Sequence, residues 1–166
     1  MRNASLAFLL IAALAGPALA YDANGVALGD KEGDVLKKFP SARCQPLEWK
    51  SKAADRRCDD AKIAFAGGVQ ARITFYLKSD AIQAFDVRFE TRDLDRVVDF
   101  LKKQYGAPAA ESRDTLERKD KATRKFYKAR WEKARDYVVL ISDLEKSRSS
   151  MLASRDNFEE EIYRVR

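Results

Sequence analysis

The chain has 166 residues, with 32 Lys and Arg against 26 Asp and Glu, two cysteines and no histidine, for a net charge of +6. The lack of histidine excludes Ser–His and Cys–His nucleophile pairs and His-containing zinc sites. Two cysteines exclude a multiply bridged scaffold, and no stretch beyond the N-terminal one is apolar for long enough to span a bilayer.

Residues 1–20 read as an export signal. Met1-Arg2-Asn3 is a basic n-region, and Leu6 to Leu14 is an apolar h-region shorter than the ~20 residues that cross a bilayer. Pro17 breaks it, and Ala18-Leu19-Ala20 is an A-x-A site before Tyr21. Ala13-Leu14-Ala15 also fits the pattern, and the site after Pro17 is preferred. No cysteine follows Ala20 directly, which argues against a lipid anchor. Residues 21–166 are thus expected as one soluble periplasmic domain, large enough to bury roughly 70% of its unfolded surface.

Export places Cys44 and Cys58 where thiols pair, so they are expected to form a disulfide. Closing a loop of about 15 residues contributes about 3 kcal/mol in the loop-entropy account. A reactive or metal-binding pair is the competing reading. The spacing is not C-x-x-C, and no histidine is present to complete a site. For an exported basic chain, nucleic acid is a poor partner; anionic lipid, cell-wall polymer or an acidic protein surface fits better. Simple solubility is the alternative account of the charge.

In chain order, Asp22 to Val26 reads as a polar lead-in. A first helix is expected from Lys31 to Phe39, with Asp30 as N-cap, Glu32 in the first turn and Pro40 as its stop. Leu47 and Trp49 alternate with Glu48 and Lys50 as a short strand, followed by a charged loop from Lys52 to Arg57. Ala61 to Ala66 alternates again, and Gly67-Gly68 turns the chain. Ile73, Phe75 and Leu77 alternate with Arg72, Thr74 and Tyr76. Lys78-Ser79-Asp80 is turn chemistry, and Phe85, Val87 and Phe89 form the returning strand. The period then becomes helical: Leu94, Val97, Val98, Leu101 and Tyr105 share one face, with Gly106 placed as a left-handed C′ residue before Pro108. Ala109 to Lys125 reads as an extended loop or exposed helical turn. Tyr127, Ala129 and Trp131 mark a strand, Ala134-Arg135-Asp136 a turn, and Tyr137 to Ile141 a strand apolar on both faces and hence central. Ser149 to Ser154 is a weaker strand, and Phe158 to Val165 fits a short helix capped by Asn157. Trp49 and Trp131 sit in apolar runs and read as core rather than ligand platforms.

Asp34-Val35-Leu36-Lys37-Lys38 matches Asp99-Phe100-Leu101-Lys102-Lys103 at four of five positions. Each segment ends a helix, precedes a proline and leads into Trp-bearing strands, giving possible half-repeats 25–90 and 91–155. This order of elements resembles the β-lactamase-inhibitor-protein-like architecture, one unit of which is similar to the small outer-membrane-assembly lipoproteins. The resemblance lies in element order, and no functional residue of those families maps onto this chain by position. It implies an α+β fold in which helices pack on one face of an antiparallel sheet and the other face stays open to partners.

The chemistry is correspondingly plain. Asp59-Asp60 reads as a turn beside the disulfide or, alternatively, as a cation or acid–base pair, and Gly67-Gly68 lacks the surroundings of a phosphate cradle. Neither an enzyme nor a cofactor or metal is expected. The candidate site is the wet face of the sheet, carrying Arg72, Tyr76, Arg88, Lys128 and Arg130, because Arg and Tyr concentrate binding energy at interfaces. An ordinary solvated strand face is the alternative. The function expected is a protein-binding module, an inhibitor or assembly factor whose partner is another envelope protein; the alternative is a binder of anionic phospholipid or peptidoglycan.

Overall fold

The computed structural model describes residues 20–117 and 123–162, so the export-signal reading of residues 1–19 and the end of the C-terminal helix reading lie outside the described residues. Its central block is the one with the cleanest periodicity. β5 (Val69–Lys78) and β6 (Ala81–Glu90) are joined through Ser79 and Asp80, both at positive φ (49° and 62°). Such a two-residue turn matches the right-handed twist of the strands it joins. Ala71, Ile73, Phe75 and Leu77 face Phe89, Val87, Phe85 and Ile82 across the pair, all buried. α2 (Leu94–Tyr105) lays Leu94, Val97, Val98 and Leu101 on that apolar face. Gly106 ends it at φ 85°, ψ −168°, a region open essentially to glycine alone rather than the left-handed helical one.

The lead-in is not polar filler. Asn24 and Gly25 turn a small hairpin of β1 (Asp22–Ala23) and β2 (Val26–Ala27), and Tyr21, Ala23, Val26 and Leu28 are all buried. Tyr21 packs edge-on against Tyr105, at 4.8 Å between ring centroids, and the Tyr105 hydroxyl donates to the Asp22 carbonyl. α1 (Glu32–Lys38) starts one residue later than its sequence pattern suggests. Its N-cap is Lys31, and the Asp30 carboxylate instead accepts from the Ala27 N–H.

β3 (Arg43–Pro46) is an edge strand, paired with the start of β4 (Arg56–Phe65). Cys44 and Cys58 stand opposite each other in that ladder and are disulfide-bonded. The bridge ties the four-residue edge to the sheet. Reducing it, or changing both cysteines to serine, is expected to cost about 3 kcal/mol. A urea midpoint that is the same for the oxidised and reduced protein would contradict this.

The second set of strands is β7 (Ala110–Glu117), β8 (Thr123–Lys133), β9 (Asp136–Asp143) and β10 (Arg148–Arg155), followed by α3 (Phe158–Glu161). All eight long strands form one antiparallel sheet in the order β3-β4-β5-β6-β10-β9-β8-β7. α1 precedes the meander β3–β6, α2 precedes the meander β7–β10, and the two meanders meet through β6 and β10. β10, which has the weaker strand pattern, is therefore at the centre of the sheet. Its Ser149 is buried, hydrogen-bonding Ser142 at 2.7 Å and Thr91 at 3.0 Å, so its hydroxyl is satisfied inside the core.

The α+β class is corrected to a mostly β fold. The helices have 7, 12 and 4 residues, too short to make a layer over a sheet of eight strands. The excess of strand comes from charged segments. Arg56 and Arg57, read as the end of the charged loop, Asp59-Asp60, read as a turn, and Ala110 to Glu117, read as extended loop or helical turn, are all in strands of the ladder. The side chains of Ala110 to Glu117 bury little; the adjacent strand supplies backbone partners, and pairing rather than apolar content decides the state. The reverse holds for Leu47 and Trp49, which alternate like a strand but lie in the connection after β3.

Candidate interaction face

Helices α1 and α2 pack on one face of the sheet, where the main core lies. On the other face the side chains fall into rows across the strands. Arg72, Arg88, Ser150, Ile141 and Lys128 form one row, each opposite the next in register. Thr74, Asp86, Leu152, Val139 and Arg130 form the row beside it. All five sequence candidates thus share this face, but in two groups. Arg72 and Arg88 stand on β5 and β6, while Lys128 and Arg130 stand on β8. Two strands separate the groups, so Arg88 and Lys128 are about 14 Å apart at three strand spacings. Arg130 binds Glu132 at 2.7 Å and lies 4.8 Å from the Tyr137 ring centroid. Tyr76 lines a groove of about 810 Å³ together with Arg72 and Arg88, and its ring is 5.3 Å from that of Phe158.

Between the groups is an apolar cleft of about 240 Å³, lined by Tyr76, Val139, Ile141, Leu152, Phe158 and Ile162. Ile141 is 43% exposed. Val139, Ile141, Ser150 and Leu152 of the lining come from β9 and β10, and the rest is brought by Tyr76, Asp86, α3 and Ile162 just after it. That four-residue helix is held by a satellite cluster in which Phe158 and Ile162 pack with Ala53, Ala54 and Ala84. The Trp49 indole donates to the Ile162 carbonyl at 2.9 Å. Trp49 therefore anchors the wall of the cleft, whereas Trp131 is buried in the main core.

Asp86 and Glu159 are the acids of the cleft lining. Burial pushes the Asp86 carboxyl above the ordinary range, and Arg88, hydrogen-bonded to it at 2.7 Å, partly offsets this. Asp59 and Asp60 do not act as a pair. They are successive residues of β4, so Asp59 accepts from Thr74 at 2.7 Å on the open face while buried Asp60 accepts from Ser41 at 2.6 Å. Among the described residues, the group with metal-ligand chemistry is Glu32 with Cys44 and Cys58. The two sulfurs are bonded to each other, and Glu32 is bound twice by Arg56, so no thiolate or free carboxylate is offered there.

The sequence reading missed Val139, Ile141 and Leu152 as site residues. The signal was present: β9 is apolar on both faces, and an apolar outer face needs either a cover or a partner. No helix among the described residues is long and apolar enough to cross a membrane. Comparison with protein-family models, curated proteins and solved structures returned no match.

Proposed function

We propose that this protein is an exported, periplasmic protein-binding module that engages another envelope protein through the open face of its sheet. The observation that carries the reading is the 240 Å³ apolar cleft set between two basic groups on a face that the main helices leave uncovered. Interfaces take this form: a desolvated apolar centre with Tyr and Arg around it, inside a polar rim. The disulfide supports an oxidising compartment.

The test is a photo-crosslinking amino acid at Ile141, on the open face, and at Leu36, exposed on α1. Irradiation in envelope extract is expected to give a discrete protein adduct from position 141 and none from 36. No adduct, or the same adducts from both positions, would remove the reading.

A further inference from the structure

The end of the open face away from α3 carries four cations around one groove of about 410 Å³: Lys62 of β4, Arg72 of β5, Arg88 of β6 and Arg148 of β10. Arg72 and Arg88 are directly opposite each other in the ladder, an arrangement that costs stability because like charges there repel. Arg88 is held by Asp86. Among the described residues, Lys62, Arg72 and Arg148 have no ion-pair partner. Glu90 is the acid in the groove lining, and it binds Arg92 at 2.8 Å. Three of the four cations are thus without an ion pair among the described residues, and the fourth, Arg88, shares its charge with Asp86.

This groove lies beside the apolar cleft. Ser150, next to Arg88 in the row, and Ile141, next to Ser150, both line the cleft. From Arg88 to Ile141 is two strand spacings, about 10 Å, which an extended peptide covers in about three residues. We propose that the groove receives the carboxylates of an acidic segment of the partner protein, and that an apolar side chain about three residues away on the same segment enters the cleft. This rests on the reading of the open face as a protein-binding surface and specifies the chemistry of what it binds.

The experiment uses residues 21–166 and fluorescein-labelled synthetic peptides carrying one phenylalanine and, three residues on, two glutamates. Two control peptides replace the glutamates by lysines or the phenylalanine by glycine. Fluorescence anisotropy is expected to show the Phe/Glu peptide bound in preference to both controls, with affinity falling as salt rises. Arg72→Glu with Arg148→Glu is expected to weaken it about ten-fold or more, since opposite-charge contacts become like-charge ones. Arg72→Glu alone sets a carboxylate opposite Arg88 and breaks no ion pair, so it is expected to weaken peptide binding while its melting temperature stays level or rises, which separates lost binding from lost folding. The proposal is overturned if no peptide binds at millimolar concentration, if the variants bind as the parent does, or if binding is seen only to phosphatidylglycerol vesicles. Failure here with the Ile141 adduct intact refutes the acidic-segment inference alone; loss of the adduct refutes the module reading.

Discussion

Trp131→Ala is expected to destabilise the protein by about 3–5 kcal/mol, a large part of the 5–15 kcal/mol by which such domains are stable. Trp131 is 2% exposed, and it faces the core from β8, opposite Val138. Its indole N–H donates to the carbonyl of Gly106, the residue at which α2 stops, at 2.9 Å. Three residues later the chain returns to the same strand, where the Ala109 N–H donates to the Arg130 carbonyl. The indole therefore fills core volume and also fixes where the helix rejoins the sheet. Trp131→Phe separates these roles: it keeps most of the volume and loses the hydrogen bond, for an expected cost of about 1 kcal/mol beyond the volume change. Urea unfolding followed by far-ultraviolet circular dichroism measures both. An alanine variant within 1 kcal/mol of the parent would contradict the account.

Alkaline pH is expected to destabilise the protein, beginning near pH 10. Burial pushes the Tyr21 phenol up to about 12, with Asp136 and Glu132 adding to the shift. Tyr105 is raised as well, by burial first and by the Asp22 charge among smaller contributions. Tyr127 is raised by burial and by the hydrogen bond it donates to Glu111 at 2.8 Å. An unfolded phenol titrates near pH 10. Between that pH and the folded values, the unfolded chain has released protons that the folded chain still holds, so stability falls as pH rises. The contribution of the three phenols is fully present below about pH 10 and is lost as pH climbs through the folded values, about 12 for Tyr21. The urea midpoint should be lower at pH 11 than at pH 8, and Tyr127→Phe should flatten that dependence. Equal midpoints at the two pH values, or an unchanged slope in the variant, would contradict it.

The sequence alone determined the parts whose physics is local. The β5–β6 hairpin and α2 follow from side-chain period, a turn pair at positive φ, and a glycine and proline that stop the helix. The pairing of Cys44 with Cys58 follows from their being the only two cysteines of the chain. Arg72, Tyr76, Arg88, Lys128 and Arg130 share a face because strand alternation fixes the side on which each residue points. One local signal went unread: Asn24-Gly25 is the strongest short hairpin turn in the chain, and it marks the lead-in as structure.

Tertiary structure decided the rest, because those features depend on which strands become neighbours. No residue of Ala110 to Glu117 announces a strand; its state is set by hydrogen bonds from β8. The weakly patterned Ser149–Ser154 region is central only because β6 and β9 flank it and Ser142 and Thr91 satisfy its buried hydroxyl. The cleft joins Tyr76, Ile141, Leu152 and Phe158 from four separate elements, and the groove joins Lys62, Arg72, Arg88 and Arg148 from four strands. A strand's alternation tells which way a side chain points but not what stands beside it. That is set by strand order, which is an outcome of the whole sheet's pairing energy.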